Sequence, residues 1–186
     1  MSKRLFDIIF SIIAVLLLSP VLIITSIFIK LDSSGDVIFK QERVGLLGNP
    51  FLIYKFRSMI KNANKQGSYQ TYKNDSRITK VGRFIRKTSI DELPQLFNVI
   101  KGNMSLVGPR PNVFAQQKLY SKSEWEKRNS VHPGITGLAQ VLIRSSGTPD
   151  ERTRLDLKYI DKQSFFYDIY IIILTIKQIL FKGDTN

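Results

Sequence analysis

The sequence predicts an α/β chain of the α+β type, mostly helical, with its N-terminus in a membrane. Three observations predict it. Residues 8–29 form a run of 22 without a charged side chain. Two short β-like segments follow, separated by glycine, asparagine and proline. The remainder reads as amphipathic helices with strongly basic faces. At 186 residues there is room for one domain with a real core. The natural division is 1–32 as a membrane helix and 33–186 as the domain it anchors.

The apolar run, as a straight helix, measures about 33 Å, enough to cross a hydrocarbon layer of about 30 Å. It is too long for a cleaved signal peptide and lacks a small-residue cleavage site. Ser19-Pro20 falls near its middle. Proline removes a backbone hydrogen bond and kinks a helix, and a nearby serine hydroxyl can occupy the freed carbonyl. Two shapes remain open: a kinked helix that crosses the bilayer, and a re-entrant helix that enters and leaves on one face. Lys3 and Arg4 precede the run, and Lys30, Lys40 and Arg43 follow it. Positive residues on both flanks favour the re-entrant shape.

Residues 37–39 and 51–59 are expected to be strands of a small hairpin, joined through Gly45, Gly48, Asn49 and Pro50. Alternation places Lys55 and Arg57 on one face. They form either a solvated face or a phosphate cradle. Residues 62–74 are polar and loop-like. Ile78, Val81, Phe84 and Ile85 then have helical spacing and carry Arg83, Arg86 and Lys87, a basic helix suited to anionic headgroups.

The chain is organised around Ser89-Ile90-Asp91-Glu92-Leu93-Pro94-Gln95-Leu96-Phe97-Asn98. Ser89 with Glu92 matches a capping box, so a helix is expected to start there, with Pro94 in its first turn and Gly102 just past its end. Leu93, Leu96, Phe97 and Ile100 would face the core. Asp91 and Glu92 would project from the positive end of the helix dipole. First-turn acids often do no more than start a helix. Here, however, residues 61–110 hold ten Lys or Arg and three acids, Asp75, Asp91 and Glu92. Such a field can keep both acids ionised and gather phosphates around them. Adjacent carboxylates also suit Mg²⁺, which binds one or two carboxylates together with substrate phosphates.

Gly108-Pro109-Arg110-Pro111 is a stiff loop that fixes Arg110 for bidentate binding of an oxyanion, or else a plain turn with an exposed arginine. Residues 131–140 make a glycine-punctuated turn through which backbone can approach a ligand closely. It lacks P-loop spacing, so no ATP site is expected. Arg144, Arg152 and Arg154 lie in the polar segment beyond. Residues 155–181 are expected to be helical. Their uncharged stretch, 169–176, is too short to span, while Phe165, Phe166, Tyr167 and Tyr170 suit a membrane interface. Packing in a soluble core is the alternative.

The net charge of +13 implies an anionic partner. The chain has no cysteine and a single histidine, His132, which excludes disulfides, thiolate sites and His-clustered zinc. The apolar N-terminus and the lack of a known binding motif argue against nucleic acid.

Three segments together resemble a known family. They are Tyr54-Lys55-Phe56-Arg57-Ser58-Met59; residues 75–111 with Ser-Ile-Asp-Glu-Leu-Pro-Gln-Leu and Leu-Val-Gly-Pro-Arg-Pro; and Pro133-Gly134-Ile135-Thr136-Gly137. In this order they resemble the bacterial sugar transferases, the monotopic phosphoglycosyl transferases, in their short catalytic-core form. The resemblance implies transfer of a sugar-1-phosphate from a UDP-sugar to a polyprenyl phosphate such as undecaprenyl phosphate, releasing UMP, as a first membrane step of glycan assembly. It implies a re-entrant helix broken at Ser19-Pro20, a site at the cytoplasmic face of the bacterial inner membrane, and a Mg²⁺-dependent catalytic dyad, Asp91 and Glu92. Asp91 would be the nucleophile that carries the phosphosugar, and Glu92 would hold the metal with it. Lys55, Arg57, Arg110 and Arg144 are the candidates for phosphate contacts. Membrane lipids are expected partners, and a homodimer is compatible with everything above. The chain departs from the common pattern at Leu138, where Trp is frequent, at Leu142-Ile143, where Asn-Gly is frequent, and at His132, where Arg is common. The competing expectation is a membrane-anchored, non-enzymatic binder of anionic lipid.

Overall fold

A computed structural model describes residues 3–63, 72, 75–143 and 147–181. The first helix, α1 (Lys3–Asp32), runs for 30 residues with Pro20 inside it, about 45 Å if straight. Pro20 cannot donate to the carbonyl four residues back, that of Leu16. The Ser19 hydroxyl donates to it instead, at 2.8 Å. The expected break is therefore one missing backbone bond in a continuous helix, not a gap between two helices.

Both ends of α1 are tied to the same body. Near its start, Arg4 donates to the carbonyls of Val99, Ile100 and Met104, and buried Asp7 accepts the Leu106 N–H. Near its end, Asp32 accepts the Val81 N–H, and Arg57 donates to the carbonyls of Ile29 and Ser33. Between these ties the apolar surface lies open; Leu17 is 74% exposed.

The hairpin consists of β1 (Ile38–Val44) and β2 (Pro50–Phe56), paired antiparallel from Ile38 opposite Phe56 to Val44 opposite Pro50. The first strand is longer than the sequence suggests because its backbone is paired along its whole length. Helix α2 (Lys80–Lys87) forms as expected, with Thr79 as its cap, Ile85 buried and Phe84 exposed.

The next segment differs from the expectation. Ser89 adopts a left-handed backbone (φ 58°) and its side chain caps nothing. It ends α2 and turns the chain into a single 3-10 turn, Ile90–Glu92. Helix α3 (Gln95–Lys101) begins only after Pro94, so the acids stand one turn ahead of it. Its buried face is also rotated: Gln95, Leu96, Asn98 and Val99 point inward while Phe97 is exposed. Gly102 ends the helix with φ 93°, as its position suggests.

Strand β3 (Ser105–Val107) pairs in parallel with β4 (Gly134–Thr136). A Cβ on Gly134 would fall 2.1 Å from the Gly108 nitrogen. The glycines of this turn therefore serve an approach of backbone to backbone, not of backbone to ligand. Helix α4 (Lys122–Arg128) precedes β4, and α5 (Leu138–Ile143) follows it.

The expected C-terminal helix is two helices. The first, α6 (Pro149–Lys162), starts at Thr148, which forms a reciprocal cap with Glu151. The second, α7 (Phe165–Phe181), starts after Ser164, whose hydroxyl accepts the Tyr167 N–H. One side of α7 docks on the core: the Thr136 and Thr175 hydroxyls are 2.8 Å apart, and Gln178 donates to the Val141 carbonyl. Its other side leaves Phe166, Ile173 and Leu180 exposed. The largest apolar cluster joins Val107, Leu138, Val141, Tyr159 and Ile171; two smaller ones surround Ile29, Phe56 and Ile85, and Ile53, Val99 and Met104.

Candidate active site

Three segments form the site. The 3-10 turn presents Asp91 and Glu92, β2 presents Lys55, and the loop after β3 presents Arg110. Lys55 Nζ donates to Glu92 Oε1 at 2.7 Å and Arg110 Nη2 to the same oxygen at 2.5 Å. Arg110 Nη1 reaches Glu92 Oε2 only at 3.4 Å. Asn98, fully buried on α3, holds this arrangement together. It accepts the Tyr54 N–H at 2.9 Å and donates to the Leu52 carbonyl at 2.7 Å. The strand carrying Lys55 is thereby pinned to the helix that follows the acids.

The two carboxylates are electrostatically opposite. Burial raises Glu92, but the Arg110 and Lys55 charges and hydrogen bonds outweigh it and hold the group well below the ordinary carboxylate range. Asp91 accepts no hydrogen bond from the described residues. Burial, reinforced by the Glu92 charge, pushes it up to about 6, against Lys55, Arg86 and Arg110. Lys55 itself is lowered, by burial and by Arg110. At neutral pH Asp91 is thus largely ionised, unpaired and only 9% exposed. Such a group is costly to keep and chemically available.

Among the described residues no three acids or histidines converge on one point. The unbonded Asp91 carboxylate and the loosely held Glu92 Oε2 still fit a Mg²⁺ ion whose other ligands come from substrate phosphates and water.

Arg57, expected on the same strand face as Lys55, lies one residue past β2 and turns away. Its Nη2 donates to the Ser33 carbonyl at 2.6 Å and to the Ser33 hydroxyl at 3.0 Å, at the end of α1, with no hydrogen bond to either acid. Arg144 lies outside the described residues. Two cations near the acids were read from the sequence only as a flank of the apolar run and as a headgroup-facing charge, not as parts of the site. Arg43 on β1 is lowered to about 10 by burial and by Arg110, and Arg86 on α2 is close enough to act on Asp91. Arg43 offers no signal in sequence, being one of many cations. Asn98 offers a weak one: a poor helix former among apolar neighbours. A cleft of about 540 Å³ between α4 and α6, lined by Leu119, Lys127, Arg154 and Asp161 among others, contains neither acid.

The profile of the bacterial sugar transferase family matches residues 1–182. The chain is 43% identical over 191 residues to the UDP-glucose:undecaprenyl-phosphate glucose-1-phosphate transferase of Escherichia coli (strain K12), covering 99% of this chain and 40% of that protein. It is 44% identical over 184 residues to the UDP-N-acetylgalactosamine-undecaprenyl-phosphate N-acetylgalactosaminephosphotransferase of Aeromonas hydrophila, covering 96% and 43%. Over 178 residues it is 43% identical to the uncharacterized sugar transferase EpsL of Bacillus subtilis (strain 168), covering 96% and 87%. The chain thus spans less than half the length of the first two relatives and most of the third.

Proposed function

Since the chain belongs to the bacterial sugar transferase family, we propose that it transfers a sugar-1-phosphate from a UDP-sugar to a polyprenyl phosphate. The products are a polyprenyl-diphosphate-sugar and UMP. The observation that carries this is the contrast within the dyad: Asp91 is buried and receives no hydrogen bond from the described residues, beside a Glu92 paired with both Lys55 and Arg110.

In the first step an Asp91 oxygen attacks the phosphorus that bears the sugar. The bond from that phosphorus to the UMP oxygen breaks, and UMP leaves with the electron pair. In the second step an oxygen of the lipid phosphate attacks the same phosphorus and the Asp91 carboxylate leaves. Splitting the transfer through an acyl-phosphate replaces one difficult displacement by two easier ones. Arg110, half exposed beside Glu92, is placed to meet the diphosphate, and Lys55 to follow charge between Glu92 and substrate oxygens. Mg²⁺, held by Asp91 and Glu92, would supply charge neutralisation of the diphosphate.

A re-entrant α1 is part of the same proposal. A crossing helix would carry the Arg4–Met104 and Asp32–Val81 ties to opposite sides of about 30 Å of hydrocarbon. Both ties are made to one folded body, which favours entry and exit on one face. That arrangement sets the acids at headgroup depth, where a lipid phosphate sits. Labelling of single cysteines at positions 3 and 32 from the cytoplasmic side alone is the expected outcome; labelling of one from outside would exclude it.

Relatives of similar identity are named for glucose and for N-acetylgalactosamine, so the test is a panel of UDP-sugars. Multiple-turnover UMP release that requires polyprenyl phosphate is expected, and when the acceptor is withheld a single equivalent of UMP together with a mass adduct of one phosphosugar on Asp91. Release without such an adduct in a protein that turns over would refute the covalent route, and binding of anionic lipid without release would favour a non-enzymatic anchor.

A further inference from the structure

The loop that carries Arg110 is held at four successive backbone oxygens. The Pro109 carbonyl accepts the Gly134 N–H at 2.9 Å, and the Asn112 carbonyl accepts the Val44 N–H at 2.9 Å. The two carbonyls between them are taken by guanidinium groups: Arg110 O by Arg128 Nη2 at 2.6 Å, and Pro111 O by Arg43 Nη1 at 3.0 Å. Prolines on both sides of Arg110 already restrict its backbone. A loop fixed at so many points has little freedom left in the base of its one long side chain.

Arg128 is the unusual member of this set. It ends α4 and is 4% exposed, with Nε and Nη2 both 2.9 Å from Asp156 Oδ2 on α6. An ion pair that served only to join α4 to α6 would be complete with those two contacts. The same Nη2 also reaches across to the Arg110 carbonyl. Arg110 then extends from that fixed point to Glu92.

We propose that Arg128, held by Asp156, is a positioning residue that fixes the backbone from which Arg110 reaches Glu92. This rests on the reading of Arg110 and Glu92 as parts of a phosphate-transfer site. The pair touches no reacting atom. It converts a flexible, half-exposed arginine into one that starts from a single place, so that less order must be created when the diphosphate arrives. A displacement of about 1 Å at a reacting group is enough to cost on the order of 10²-fold in rate.

The test is a cycle between the clamp and Arg110 in the full membrane-bound chain. Arg128→Met combined with Asp156→Leu removes both charges, so that neither is buried alone. Arg128→Lys, which keeps the charge but loses the fork, is the second variant. With the UDP-sugar that the unaltered protein uses, each is expected to lower kcat/KM for UMP release roughly 10- to 100-fold. In an Arg110→Ala background the same changes are expected to cost less than about threefold, because what they position is gone. Equal losses in both backgrounds, or no loss in either, would overturn the proposal. Hydrogen exchange at the Val44 and Gly134 amides, which donate to this loop, reads the clamp without turnover. It should accelerate in both variants, and unchanged exchange would also overturn the proposal. Absence of turnover in the unaltered protein would instead defeat the transferase reading and leave the exchange result to decide on the clamp.

Discussion

Asp91 and Asp168 are both buried acids, yet they are treated in opposite ways. Asp168, 2% exposed, gives one oxygen to Lys3 and the other to the Tyr159 hydroxyl at 2.7 Å. Those partners tie α1, α6 and α7 together, and Lys3 Nζ also donates to the Val107 carbonyl at 3.2 Å. Asp91 is 9% exposed and receives no donor from the described residues. The fold satisfies the acid that holds it together and leaves the other unsatisfied. A fold that keeps a buried charge unpaired carries a stability penalty, and that is reasonable where the charge does chemistry.

The sharpest way to break this comparison is to neutralise each acid in turn. Asp91→Asn should lower UMP release by at least about 10³-fold, while unfolding at pH 7 moves to higher temperature. The sign follows from linkage. The folded-state value of Asp91, about 6, lies above its ordinary value of 3.8, so the folded protein holds the proton more tightly between them. Stability therefore falls as pH rises through that window, by about 3 kcal/mol in all. The asparagine variant escapes that loss, and its advantage should vanish near pH 4. A lower melting temperature for Asp91→Asn at pH 7 would show that Asp91 is paired after all.

Glu92→Gln comes next. It leaves Lys55 and Arg110 facing a neutral amide and should cost about 10²-fold in rate, with a weakened response to Mg²⁺. An unchanged Mg²⁺ titration would assign the metal to other groups. Asp168→Ala should do the reverse of Asp91→Asn: Lys3 and Tyr159 lose their partner, stability drops by about 2–4 kcal/mol, and turnover per folded molecule stays near that of the unaltered protein.

The pH profile sharpens the contrast further. The acidic limb of kcat/KM should show an apparent pKa of about 6, set by Asp91. Lys55→Met removes a charge that favours the ionised form, so the limb should move to higher pH. A shift to lower pH would contradict the assignment. The smallest effect is expected in the long apolar helix α1. Ser19→Ala deprives the Leu16 carbonyl of its donor and should cost about 1 kcal/mol in thermal unfolding.

Much of this site is legible in the sequence. The acids stood out as a charge anomaly, the apolar run by its length, and α2 by its spacing. The conformation that presents the acids was not legible. Ser89 with Glu92 spells a capping box, but the chain instead places Ser89 in the left-handed region, where it closes α2 and begins a new turn. Phe97 looked like a core residue by spacing, yet burial of Asn98 against β2 rotates α3 and turns the phenylalanine outward. Lys55 and Arg57, alike in sequence, were sent to different tasks by what lies opposite each of them: Glu92 for one, the end of α1 for the other.

By itself, then, the sequence determined the long apolar helix, the hairpin, the basic surface and the pair of acids, because these depend on periodicity, composition and neighbours a few residues apart. Only the tertiary structure decided which cations neutralise Glu92, why Asp91 is left open and how Arg128 reaches the backbone of Arg110. Those contacts join residues 18 to 37 positions apart in the chain. Their distances follow from how α3, β2 and α6 pack, and no local pattern of side chains specifies that packing.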